Sequence, residues 1–192
     1  GDNSGARIYD VALDNVTANP TFIDMTAPTV ALSEPAANAA VRDSVTFAAD
    51  ALDNVGMDRV EFLVNGNVVG TDYTPPYNLI WNSTALSDGP ATITARAVGN
   101  TFNPTGPVSR IVTVDNTPPN TTIDSGPSGT VGDTSATFTF SSNEAGATIT
   151  CVLDDVEIEL CASPFTADNL ADGAHTFQVL STDVAGNIDS TP

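Results

Sequence analysis

The chain has 192 residues with 41% apolar content, enough to bury a core as one large domain or two small ones. Its 24 acidic residues face only five basic ones, all arginine, for a net charge of −19. Such a field repels nucleic-acid phosphates and anionic lipid headgroups, the lack of lysine excludes an isopeptide cross-link, Schiff base or P-loop, and no apolar run approaches the ~18–20 residues that span a bilayer.

In chain order, the opening "GDNSG" fits a processed secreted chain or a trimmed one. Residues 6–23 then read as a half-buried strand, with Tyr9, Val11 and Leu13 on one face and Asp10, Ala12 and Asp14 on the other. The stretch "DMTAPTV" at 24–30 follows as a proline-stiffened joint. Beyond it, alternating runs rich in Val, Thr, Ile and Phe predict strands at 29–33, 44–49, 59–65, 67–71, 77–82, 91–98 and 109–114. These make the seven strands of an immunoglobulin-like sandwich, with Tyr77 and Trp81 of "PYNLIW" as packing residues.

The second half repeats the first. "PYNLIWNSTALSDGPATITARAVGNTFN" aligns with "PFTADNLADGAHTFQVLSTDVAGN", setting Leu86 on Leu170, Asp88-Gly89 on Asp172-Gly173 and Asn103 on Asn187. "DNTPPNT" at 115–121 repeats the "DMTAPTV" joint. Predicted strands here are "NTTID", "SATFTFS", "ATITCVL", "VEIEL", "PFTAD" and "AHTFQVLS". Apolar alternation around Asp154-Asp155 predicts a hairpin that brings Cys151 and Cys161 together, with a longer loop or a bulge because their spacing is off register. The pair forms either a bridge worth roughly 2–3 kcal/mol in an oxidising compartment or two buried free thiols.

With "DNVG", "VEFLVNG" and "PYNLIW" in the first half and "LADGAHTFQVLSTDVAGN" in the second, the chain resembles the tandem bacterial Ig-like domains of secreted and cell-surface proteins. The resemblance covers about 24–192, and the cysteines sit where those of a related repeat type do. It implies an all-β fold: an N-terminal extension strand and linker at 1–24, one sandwich at 25–116 and a second at 117–192. It leaves function open, since such modules serve as spacers, adhesin stalks and enzyme appendages. At "AVGNTFN" Gly99 takes the place of Asp183, so a cation ligand at Asp183 is not shared by the first unit.

The second unit shows six predicted strands, and only "IDSTP" follows Asn187, so its closing strand is missing and its edge open. Residues 6–23 occupy the sequence position of a closing strand with no unit of their own. The expectation is a head-to-tail extracellular filament or pilus-like fibre of identical subunits. In it a donor strand carrying Tyr9, Val11, Leu13 and Val16 completes the acceptor edge at Thr176, Phe177 and Val179 of the next copy. The alternative is a spacer or adhesin-stalk fragment of a longer cell-surface protein, with an orphan strand at one end.

No catalytic motif appears, and the single histidine, His175, alternates along a strand as an edge residue, so the chain is read as a non-enzyme. Paired carboxylates such as Asp154-Asp155 read as a solvated face. Acidic loops gather at the joints, and calcium suits a set comprising Asp24, Asp50, Asp53, Asp115, Asp183 and Asn187; the other reading is acidity for solubility alone. Sequons at Asn15, Asn82 and Asn120 are no more than chance supplies, and 6% aromatic content argues against a carbohydrate-binding platform. The surface ligand is unknown.

Overall fold

The computed structural model describes residues 24–158, 161–189 and 191. The donor-strand residues Tyr9, Val11, Leu13 and Val16 lie outside them. The described chain is all-β apart from one 3-10 turn, with strands in two sets that each enclose an apolar cluster.

The first unit contains β1 (Thr29–Glu34), β2 (Ala40–Val41), β3 (Ser44–Leu52), β4 (Met57–Val64), β5 (Asn67–Asp72), β6 (Tyr77–Asn82), β7 (Gly89–Gly99) and β8 (Val108–Val114). One sheet runs β1-β3-β6 and the facing one β2-β8-β7-β4-β5. Alternation explains why these segments are strands: in β3 the side chains of Val45, Phe47, Ala49 and Ala51 turn inward while Ser44, Thr46, Asp50 and Leu52 turn outward. Phe47 meets Phe62 of β4 across the core at 4.8 Å between ring centres, and Tyr77 and Trp81 are buried beside them as expected. All seven predicted strands form. The additional β2 pairs in parallel with β8, Ala40 against Thr113 and Val41 against Val114. It is too short to carry a periodicity that a sequence could display.

The second unit contains β9 (Thr121–Ser125), β10 (Ala136–Ser142), β11 (Thr148–Leu153), β12 (Val156–Ile158), β13 (Phe165–Ala167) and β14 (Phe177–Thr182), in sheets β13-β10-β9 and β12-β11-β14. Its core is smaller: Phe140, Cys151 and Val179 are buried, and Phe177 stacks on Phe138 at 4.2 Å and on Phe165 at 5.5 Å. The predicted strand "AHTFQVLS" begins late, at Phe177. The reason is Asp154, whose carboxylate accepts from the Thr176 amide at 2.8 Å and holds His175 at 2.6 Å, drawing this stretch onto a turn.

Cys151 and Cys161 are bonded, with Cα atoms 5.8 Å apart. The hairpin between them needs no bulge or long loop in its described part. Asp154 and Asp155 both take positive φ, 50° and 64°, as a two-residue turn of this kind requires, and Leu153 pairs directly with Val156. Cys151 therefore faces Ile158, and Cys161 closes the bridge from beyond the end of β12.

The repeat alignment carries into backbone geometry. β7 ends in a bridge between Val98 and Pro104, and β14 in one between Thr182 and Ile188. Gly89 and Gly173, aligned at the entry to these strands, share φ values of 134° and 147°, a region closed to other residues. The difference is at the edge: β7 lies between β4 and β8, whereas among the described residues β14 pairs along its length only with β11.

Candidate functional site

Two loop clusters built on one plan, one before β1 and one between the units, gather most of the singled-out acidic residues. At the first, a strap formed by residues 24–28 crosses the β3–β4 loop and the turn after β7. Asp24 is only 8% exposed, and its Oδ1 accepts from the Thr26 amide at 2.9 Å and from Asn54 Nδ2 at 3.3 Å. Asn103 Nδ2 donates to the carbonyls of Thr26 at 2.7 Å and Asp24 at 3.4 Å, which fastens the strap to the turn. Asp53 Oδ2 accepts from the amides of Val55 and Gly56 at 3.1 and 2.9 Å. The Thr26 amide holds the Asp24 carboxyl below its ordinary range; burial opposes this, and the adjacent Asn54, Asn103 and Asp53 side chains reinforce it.

Gly99 lies at the centre. A Cβ there would collide with Asn103 Oδ1 and sit 3.3 Å from Asp53 Cγ and Oδ2. In the first cluster, then, Asp53 reaches from the β3–β4 loop into space that glycine leaves open at the position aligned with Asp183.

At the second cluster the linker after β8 takes the part of the strap. Asn187 Nδ2 donates to the Asp115 carbonyl at 2.9 Å, as Asn103 does to Asp24, and also to Asp183 Oδ2 at 2.7 Å. The Asn187 amide donates to Asp183 Oδ1 at 2.8 Å, so both oxygens of this buried carboxylate are partnered. Asp115, Glu144 and Asp183 bring carboxylate oxygens within 4.8 Å of one another. Burial, then the nearby charges of Asp115, Asp183 and Asp88, push the Glu144 carboxyl up.

This linker is pinned on both sides. Asn116 donates its amide to Asp88 Oδ1 at 2.8 Å, and its Oδ1 accepts from the Asp43 amide at 3.0 Å and Ser83 Oγ at 3.1 Å. Thr117 Oγ1 adds a bond to Asp88. From the first unit Arg42 Nε donates to the Ala185 carbonyl of the second at 3.1 Å. The Thr121 amide donates to Asp189 Oδ2 at 2.7 Å.

Of the acidic residues singled out from sequence, the structure brings Asp24 together with Asp53, and Asp115 with Asp183 and Asn187. Asp50 joins neither group: it is exposed on the outer face of β3, opposite Ala31. Sequence reasoning did not assign a site role to Asn103, Thr101, Glu144, Asn116 or Arg42. Only Asn103 carried a readable signal, its alignment with Asn187.

The acceptor-edge residues divide. Val179 is buried in the second core, Phe177 is half-buried in the aromatic stack, and Thr176 precedes β14 with its amide already bound by Asp154. Beside them a groove of about 750 Å³ runs between the sheets, lined by Ala136, Phe138, Leu153, Leu170, His175 and Phe177. Among the described residues no helix is long and apolar enough to cross a membrane.

No curated protein sequence matches the chain. Among solved structures, fibronectin(III)-like modules of Clostridium thermocellum CbhA are 27% identical, covering 46% of this chain and 98% of theirs, with a TM-score of 0.42. The endo-beta-1,4-mannanase from Thermotoga petrophila is 16% identical over 50% of this chain and 22% of its own length, TM-score 0.40. The FN1–FN3 domains of chicken CNTN1 are 11% identical over 83% and 62%, TM-score 0.43. Residues 28–95, from the start of the first unit into β7, match the family described as bacterial Ig domain.

Proposed function

We propose that this chain is a structural stretch of an extracellular or cell-surface protein, in which Ig-like units are held in line as a spacer or stalk. The observation that carries this reading is the pinned linker: Asn116 and Thr117 bind the first unit, while Asn187 and Arg42 tie the second to the linker and to the first unit. A joint with that many directional bonds resists bending, which a spacer needs and a flexible tether does not. The disulfide and the bacterial Ig-domain match support an oxidising, extracellular setting.

A second reading, a filament of identical subunits joined by strand donation, is favoured by the β14 edge, which among the described residues has no strand in the register that β8 occupies on β7. Tyr9, Val11, Leu13 and Val16 would then lie along Phe177–Thr182 of the next copy, with backbone pairing giving affinity and side-chain alternation giving register. Light scattering with electron microscopy separates the two. The spacer reading expects the intact chain to be monomeric at tens of micromolar. Filaments that form with the intact chain and vanish on deletion of residues 1–23 would establish strand donation instead.

A further inference from the structure

We propose that the first joint is a divalent-cation site, suited to calcium, whose ligands are Asp24, Asp53, Asn103 and Thr101. Among the described residues, the buried side-chain oxygen and nitrogen atoms with no hydrogen-bond partner are Asp24 Oδ2, Asp53 Oδ1, Asn103 Oδ1 and Thr101 Oγ1. All four are oxygens; Asp24, Asp53 and Asn103 lie against one another, and Thr101 stands in the same turn after β7 as Asn103. A buried oxygen left without a partner is destabilising, more so when charged, so several at one joint call for a shared partner.

The partner must be cationic. The buried Asp24 and the half-buried Asp53 bring two carboxylates together, with no basic side chain among their hydrogen-bond partners to neutralise them. The arginines of the described residues are engaged elsewhere: Arg42 at Asp43 and Ala185, Arg59 at Asp58 and Glu61, Arg96 at Glu61, and Arg110 at the carbonyls of Leu32 and Pro35. The donor set is oxygen only, which selects a hard ion over zinc or copper. Two carboxylates, an amide carbonyl and a hydroxyl, completed by water, meet the six to eight oxygens that calcium takes, in a loop setting that tolerates its irregular geometry.

Local bonding leaves these atoms free to coordinate. Asp24 Oδ1 and Asp53 Oδ2 are held by backbone amides, which fixes each carboxylate and turns its second oxygen inward. Asn103 spends its Nδ2 on the strap carbonyls and keeps Oδ1 unpartnered beside Gly99. The second joint differs where it matters, because Asn187 satisfies both oxygens of Asp183. The inference is therefore confined to the first joint, and it does not depend on the spacer reading. An ion there would clamp the strap to the loops after β3 and β7 and set the direction in which the chain enters the first unit.

Calorimetry of the intact, chelator-stripped chain with calcium chloride tests this. The expectation is one site with Kd about 10⁻⁴–10⁻³ M, weakened at least about tenfold in Asp24→Asn and in Asp53→Asn and unchanged in Asp115→Asn. Hydrogen exchange on the unmutated chain locates the ion even if a variant folds poorly. At a calcium concentration ten times Kd, the amides of Thr26, Val55 and Gly56 should exchange about tenfold more slowly. No binding heat together with unchanged exchange would overturn the proposal and leave the oxygens to buried water. So would binding that survives both Asp24→Asn and Asp53→Asn but is lost in Asp115→Asn, with protection centred on Asn187.

Discussion

At the scale of single residues, two asparagines do the work of joints. Asn103 and Asn187 each project from the turn after a long strand and donate to the carbonyl of an aspartate in the segment entering the sandwich. Asn187→Ala should cost about 1–3 kcal/mol, because the buried Asp183 would lose the side-chain donor to its Oδ2 and keep only the backbone amide on Oδ1; urea denaturation measures the loss. Gly99→Ala should also destabilise, since its Cβ would displace Asn103 and free the strap. His175 and Asp154 give a pH signature. The Asp154 side chain raises the His175 pKa, so its contribution is fully present below the unfolded value near 6.5 and is lost as pH rises through the folded one. His175, then the Thr176 amide, lowers the Asp154 pKa, so that contribution is present above the unfolded value near 3.8 and is lost as pH falls through the folded one. The pair therefore helps most between about pH 4 and 6.5, and His175→Gln should lower stability throughout that window and remove the fall in stability that the intact pair shows as pH rises above it.

At the scale of elements, the two units differ in how they are held together. The first relies on packing, with Phe47, Phe62, Val60, Ile93, Val112 and Val114 almost wholly buried. The second has few such residues and adds a bridge. Replacing Cys151 and Cys161 together by alanine should remove roughly 2–3 kcal/mol from the second unit alone, seen as a lower melting step while the first unit's step stays in place. Strand alternation was legible in the sequence because each inner face is apolar at every second position, as in "SVTFAADAL" of β3. Three features were not. β2 is too short to show a period. The start of β14 is set by Asp154, distant in sequence but adjacent across the hairpin. The cause of the off-register cysteine spacing, though not the spacing itself, was also hidden: Cys161 follows the strand instead of belonging to it. Acidic residues at the joints could be read from loop composition, but their grouping could not. Composition gave Asp50 the same standing as Asp53, and only strand pairing shows that Asp50 points outward from the middle of a sheet.

At the scale of the whole molecule, the proposed spacer role requires that the two Ig-like units move as one rigid piece. Its basis is the linker 115–120, whose backbone and side chains are bound from both sides. The high negative charge, −19, disfavours collapse of neighbouring units onto each other and suits an extended surface structure. Nitrogen-15 relaxation of the intact chain tests the claim most directly, by comparing the rotational diffusion of amides in 29–114 with those in 121–182. The account predicts one common, anisotropic tumbling tensor for both units, and its breakdown into two in an Arg42→Ala, Asn187→Ala double variant. Two independent, faster correlation times in the unmutated chain would contradict it.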